Sequence, residues 1–249
     1  MFRHRLSGWV SVSLIALGMG VGCQEKPSAE PSSPAARADQ LKGPTSANEA
    51  RTAAPSAAAG ETTAGELTTA TVGKPAPDFD LPDLDGKRVK LSGFAGKVVV
   101  LEWFNPECPF VRNSHTKGSL VDTADRLQKK GVVYLAINSG APGKQGHGAE
   151  VNRKATETFK LGHPILLDET GAVGKTYGAT NTPHIYVIDA SGTLVYGGAV
   201  DNSPDGEGES PEGGKLVSYL EEAVNAVLEG KPVQTSSTKA YGCAVKYAN

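Results

Sequence analysis

The chain opens with Arg3 and Arg5 ahead of an apolar stretch, Trp9 to Leu17, after which small residues lead to Cys23. Basic, apolar and small segments in that order form the pattern of an export signal. The apolar part is short for a membrane span. From Gln24 to about Thr71, Ala, Ser, Thr, Pro, Glu and Gly dominate, aromatic residues are lacking and no apolar period is visible. Such a tract cannot bury enough surface to offset its ordering entropy, so a disordered linker is predicted. As a flexible coil it reaches about 35 to 40 Å, enough to hold a folded domain clear of a lipid surface.

The texture changes at Val72. Gly73-Lys74-Pro75-Ala76-Pro77-Asp78-Phe79 leads to Leu81, a turn at Asp83 to Lys87, then Val89 and Leu91 among charges. This predicts an opening β-hairpin. Val98 to Phe104 is almost wholly apolar, as expected of a central strand covered on both faces. Phe110, Val111, Leu120, Val121, Ala124 and Leu127 then follow at helical spacing, which predicts one helix from Pro109 to Lys129-Lys130-Gly131. Further along come a strand at Val132 to Ile137, a helix at Glu150 to Leu161, a short strand at Pro164 to Leu167 and a short helix at Thr170 to Tyr177. A hairpin of Ile185 to Ile188 with Thr193 to Tyr196 and a closing amphipathic helix at Glu212 to Leu228 complete the order. A β-α-β half with parallel strands followed by a β-β-α half predicts an α/β fold, a central mixed β-sheet flanked by helices, over residues 72–249.

Composition adds little to this picture except by exclusion. A formal net charge of -2 with both signs interspersed offers no basic field for nucleic acid. Small molecules and proteins are the expected partners. The three cysteines add more. Cys23 stands where a lipoprotein signal places its lipidated residue, with small Gly22 before it and a polar tract after, so the membrane surface becomes a partner through a lipid anchor. Gly20-Val21-Gly22 also fits a cleavage site for ordinary secretion. Either way the expected location is extracytoplasmic, periplasmic or cell-envelope. There the remaining pair, Cys108 and Cys243, can be a structural staple or a redox couple.

Cys108 falls where the central strand hands over to a helix, with Pro109 at the first helical position. Unpaired N–H groups and the helix dipole favour a thiolate there. A thiol of pKa near 8.5 is only about 3% ionised at pH 7, whereas one near 6 is about 90% ionised. The alternative is a buried structural cysteine. Thr182-Pro183 precedes the strand Ile185 to Ile188, and by itself an X-Pro there is an ordinary edge or turn feature.

Together, the order of elements, Cys108-Pro109 and Thr182-Pro183 resemble the thioredoxin-like superfamily, in which a cis-proline packs against the redox cysteine and presents backbone to an extended substrate. The chain is more narrowly similar to the peroxiredoxin-like (redoxin) branch, of alkyl hydroperoxide reductase/thiol-specific antioxidant type. Gly73 to Phe79 resembles its opening segment. Ala136-Ile137-Asn138-Ser139, Leu166 to Thr170, Tyr177-Gly178-Ala179, Leu194-Val195-Tyr196 and the tail from Gly230 to Lys246 resemble later blocks. This resemblance implies a thioredoxin-like fold and thiol redox chemistry on a peroxide or disulfide substrate, with an external thiol as reductant and no cofactor. It implies substrate binding by Asn105, Pro109, Thr182 and Pro183.

Two departures shape the expectation. The position three residues after Cys108, where thioredoxins carry a second cysteine, is Val111. Leu101 and Asn105 stand where typical peroxiredoxins carry proline and threonine. Asn105 remains able to hydrogen-bond a peroxide oxygen. Cys243 is the candidate to resolve an oxidised Cys108, with a permanent staple as the competing role. Glu102 matches the buried proton-relaying carboxylate of thioredoxins, where burial would raise its pKa and suit it to acid or base work, while alternation along the strand equally permits a partly solvated carboxylate. Arg112, one helical turn after Cys108, is the candidate to stabilise its thiolate, with a solvated surface arginine as the equal alternative. Glu107 would oppose it. His115, His147, His163 and His184 show no metal-site spacing, and the glycine-rich run 140–148 lacks the Lys-Ser/Thr ending of a phosphate loop. The expected function is therefore an exported thiol oxidoreductase, with disulfide exchange on proteins or non-catalytic peptide binding as alternatives.

Overall fold

The structure, a computed structural model, describes residues 69–209, 211 and 213–249. The export signal, Cys23 and the linker up to residue 68 lie outside the described residues. The linker assigned by composition runs slightly too far. Ala70 donates its N–H to the Thr176 carbonyl (2.9 Å) and packs against the core, so the folded domain starts just before Val72.

In chain order the elements are β1 (Asp80–Pro82), β2 (Arg88–Lys90), a 3-10 turn (Leu91–Phe94), β3 (Val99–Trp103), α1 (Pro109–Thr116), α2 (Thr123–Lys129), β4 (Val133–Asn138), α3 (Ala149–Thr158), β5 (Ile165–Leu167), α4 (Ala172–Tyr177), β6 (Asn181–Thr182), β7 (His184–Ile188), β8 (Leu194–Gly198), α5 (Tyr219–Leu228) and β9 (Cys243–Ala244). Five strands form the main sheet in the order β5-β4-β3-β7-β8. β3, β4 and β5 are parallel, while β7 and β8 are antiparallel to their neighbours. The expected mixed sheet is present with Val99–Trp103 at its centre. β1 pairs β2, and β6 pairs β9, as separate two-stranded sheets.

Every residue of β3 is buried, which explains its nearly unbroken apolar run. Val99, Leu101 and Trp103 meet Phe79, Leu135, Tyr177, Tyr186 and Ile188 on one face. Val98 and Val100 meet Leu127, Tyr134, Val187, Leu220 and Val224 on the other. Where β3 ends, Phe104, Cys108, Val111, Ala136, Ala155 and Ile165 form a third cluster, with Cys243 packed against it.

Three expectations change. The single helix after Pro109 is two, α1 and α2, because the chain breaks at Lys117 and Gly118 and crosses a left-handed Asp122 (φ 54°) before α2. Gly118 lies under the Gly206 carbonyl, and Asn113 and Lys117 both reach Glu207, so a loop from the second half of the chain occupies the break. α5 starts at Tyr219 rather than Glu212, where Ser218 caps it by accepting the Glu221 N–H at 3.3 Å. The β6–β9 pair was not foreseen, since two residues carry no readable period.

Candidate functional site: a cysteine pair under the C-terminal tail

β3 ends with the Phe104 N–H on the Ile137 carbonyl (2.8 Å), and a tight turn follows. The Cys108 N–H bonds the Asn105 carbonyl at 3.0 Å, and the Glu107 N–H bonds Asn105 Oδ1 at 2.9 Å. Cys108 is the N-cap of α1, in extended conformation, with Pro109 as the first helical residue. Its side chain is fully buried and its thiol donates to the Thr182 carbonyl at 3.1 Å. Thr182 is joined to Pro183 by a cis peptide bond. Residues 105–109 and 182–183 therefore face each other although more than seventy positions separate them.

Cys243 completes the group. β9 pairs antiparallel with β6, which sets Cys243 opposite Thr182. Both cysteines are free thiols, Cys108 buried and Cys243 partly exposed. Burial by itself raises the Cys108 pKa. Hydrogen bonds from the Cys243 thiol, from the Thr182 side-chain hydroxyl and from the backbone N–H groups of Val111 and Cys243 outweigh it and hold the thiol below its ordinary range. Cys243 moves the other way, to about 11, through partial burial and then through its bond with Cys108 and the repulsion of that thiolate. Of the two thiols, Cys108 is thus the more readily ionised, while Cys243 stays protonated and donates a hydrogen bond to it.

The tail that carries Cys243 is firmly held. The Val245 N–H bonds the Thr180 carbonyl (3.0 Å), the Ala141 N–H bonds the Lys246 carbonyl (2.8 Å), Asn181 Nδ2 donates to the Gly242 carbonyl (2.9 Å), and the Tyr247 hydroxyl donates to the Ala179 carbonyl (2.8 Å). The Tyr247 ring occupies space left free by Gly171 and Gly174.

A family model described as Redoxin matches residues 71–214, a segment that includes Cys108 and the cis-Pro183 loop. The chain belongs to the Redoxin family. It is 35% identical over 131 residues to the thiol-disulfide oxidoreductase ResA of Geobacillus thermodenitrificans, a match covering 52% of this chain and 70% of the relative. Peroxiredoxin Bcp of Escherichia coli is 32% identical over 130 residues, covering 49% of this chain and 80% of that protein. A crystal structure of a hypothetical protein from Sinorhizobium meliloti superposes with a TM-score of 0.62 at 31% identity, covering 73% of this chain and 97% of that one. The fold of this redoxin domain is thioredoxin-like.

Within this redoxin domain the other expected site residues are dispersed. Asn105 is buried, and its amide is engaged by the loop after β4: Nδ2 donates to the Gln145 carbonyl (3.3 Å), while Oδ1 lies where any side chain at Gly146 would sit. Glu107 accepts the Gly146 N–H at 2.6 Å, so its carboxylate braces the same loop. Pro109 is exposed at the start of α1. Arg112 is exposed as well, because α1 turns Val111, Ser114 and His115 inward and leaves Arg112 off that buried stripe.

Glu102 corrects an expectation. It is buried on β3, yet its pKa is lowered. Burial pushes it up, but the charge and hydrogen bond of His115, the more distant His163 and the Tyr134 hydroxyl together prevail. The His115 Nε2 contact is 2.9 Å and the Tyr134 bond 2.8 Å. Its carboxylate is ionised and paired, a poor proton reservoir near neutral pH. His115, Tyr134 and His163 were not read from the sequence as its partners. The apolar spacing of α1 was the available signal, since it puts His115 on the same inward stripe as Val111. Among the described residues no group of three or more His, Cys, Asp or Glu side chains converges as a metal site.

Proposed function

We propose that this chain is an exported thiol-dependent oxidoreductase of peroxiredoxin-like type, in which Cys108 is the redox nucleophile and Cys243 resolves it. The reading is carried by one juxtaposition: the tail sets Cys243 against a buried Cys108 whose pKa is lowered. The Cys108 thiolate attacks the outer oxygen of a hydroperoxide. The O–O bond breaks, the alkoxide or hydroxide leaves and takes a proton, and Cys108 becomes a sulfenic acid. The Cys243 sulfur then attacks the Cys108 sulfur, water departs and the two form a disulfide. An external dithiol returns both to thiols and is itself oxidised. Thr182 and Pro183, whose cis bond follows the carbonyl that lies 3.1 Å from the attacking sulfur, would receive the substrate with Asn105 and Pro109 of the facing turn.

Similarity to ResA favours a second reading, in which the substrate is a disulfide. Cys108 then forms a mixed disulfide, and Cys243 displaces the substrate thiol. One experiment separates the steps. A Cys243→Ser chain given one equivalent of hydrogen peroxide is expected to accumulate sulfenic acid at Cys108, trapped by dimedone and located by mass spectrometry, while the unaltered chain yields the Cys108–Cys243 disulfide. Identical oxidation products from the two chains would remove Cys243 from the cycle.

The export pattern at residues 3–23 supports an extracytoplasmic setting, with Cys23 as a lipid anchor and the linker as tether. Among the described residues no helix is long and apolar enough to cross a membrane.

A further inference from the structure

Among the described residues, three of the arginines grip a carboxylate: Arg88 pairs with Asp80, Arg126 with Glu221 and Arg153 with Asp85. Arg112 is the remaining one and makes no ion pair, although it stands on the wall of a cleft of about 480 Å³ that runs from the turn before α1 to α3. Lys154 lines the same cleft from α3 and also lacks an acidic partner, whereas its neighbour Arg153 is taken by Asp85. Glu107 is the acid on this wall, and its Oε2 is already engaged by the Gly146 N–H. Two cations against one carboxylate leave the cleft with a positive balance, which favours an anion.

The floor of the cleft is apolar. Val151, Lys154, Ala155 and Thr158 fall on one stripe of α3 and all face it. Ala155 belongs to the third apolar cluster and Phe159 packs against that cluster, with its ring edge-on to Phe104 and stacked on His115. Val151 and Phe159 are left half-buried. Hydrocarbon laid on them would gain by leaving water. The planar guanidinium fork matches both oxygens of a carboxylate, and a lysine supplies a point charge beside it.

We propose that this cleft binds a monomeric aliphatic carboxylate. Arg112 takes the carboxylate in its fork, Lys154 adds the second charge, and the hydrocarbon lies on Val151, Ala155 and Phe159. A free acid fits better than a lipid surface, because the apolar part of the site is a recess in the protein and not a side chain projecting toward a bilayer. The site takes no electrons and needs no access to Cys108, so it stands whether or not Cys108 is oxidised.

The test is titration calorimetry on the full chain with three probes: octanoate, octanol and acetate. Octanoate is expected to bind about tenfold or more tightly than either of the others, since each of those supplies half of the contact. Arg112→Gln is expected to weaken octanoate by about tenfold, with Arg112→Lys falling between because it keeps the charge and loses the fork. Both cations are exposed, so their replacement leaves the fold intact. Val151→Asp, which sets a carboxylate on the floor, is expected to abolish octanoate binding, while Arg126→Gln, at a paired arginine elsewhere, is expected to match the unaltered chain. Equal octanoate affinity in the unaltered chain and Arg112→Gln, or octanol bound as tightly as octanoate, overturns the proposal. So does Arg112-dependent binding to phosphatidylglycerol vesicles in the absence of octanoate binding, which would assign the cleft to a membrane surface.

Discussion

Glu102, His115, Tyr134 and His163 form a buried polar group. Glu102 is ionised there because His115 and Tyr134 hydrogen-bond its carboxylate. His163 packs against the Tyr134 ring, with centroids 4.6 Å apart, and neither of its ring nitrogens has a hydrogen-bond partner. Burial lowers the His163 pKa to about 4, with Glu102 and Asp125 pulling it up and His115 pushing it down. The unfolded chain protonates this ring near its ordinary value of about 6.5, so between there and about 4 the unfolded state takes up a proton that the folded state refuses. Stability therefore falls as pH falls through that window, by up to roughly 3 kcal/mol for this residue. His184, also lowered to about 4 by burial, acts in the same direction. Glu102 adds a loss at lower pH, since its lowered pKa gives stability that disappears only as the pH falls through the folded value. Urea unfolding at about pH 7 and about pH 5 should show the decline, and His163→Phe should flatten part of it. Equal midpoints at the two pH values for the unaltered chain would contradict this account.

At the scale of elements, the interruption between α1 and α2 is an adaptation to the chain that crosses it. Gly118 combines low helix propensity with a position directly under the Gly206 carbonyl, where an added Cβ would run into that oxygen and come within 2.9 Å of Ser114 Cα. A methyl group there has nowhere to go without shifting backbone. Gly118→Ala is expected to destabilise the fold by about 1 to 3 kcal/mol, although alanine is the better helix former. A urea midpoint unchanged or raised would mean that helix propensity, not the crossing loop, governs this break. The hydrogen bonds of the loop after β4 serve the site in a comparable way. They clamp Asn105 and Glu107, so the turn that presents Cys108 is braced from outside its own element.

For the molecule as a whole, the two cysteines connect distant parts of the sequence. A Cys108–Cys243 disulfide would close a loop of well over a hundred residues, which in the chain-entropy model stabilises the fold by about 5 kcal/mol. The oxidised chain is expected to melt at a higher temperature than the reduced chain, and coincident melting curves would show that the bond strains the native state as much as it restrains the unfolded one. The other whole-molecule expectation concerns the tether. Cys23→Ala should move the protein from the membrane fraction to the soluble extracytoplasmic fraction, and unchanged membrane partition would dismiss the lipid anchor.

Sequence alone determined the features that arise from neighbouring residues. The unbroken apolar run of β3, the Cys108-Pro109 helix start, the β7–β8 hairpin and the order of the main-sheet strands were readable because period, capping and turn chemistry are local. The central place of Cys108 and its relation to Thr182-Pro183 were available from family resemblance. Tertiary structure decided what depends on meetings across long stretches of chain. It sets Cys243 opposite Thr182, against the cluster that holds Cys108, through two-residue strands too short to show a pattern, leaves Arg112 exposed, and gives Glu102 the partners that lower its pKa where burial alone would raise it. The reason is physical: a pKa, a strand edge or a helix break depends on which groups the fold brings within a few ångströms.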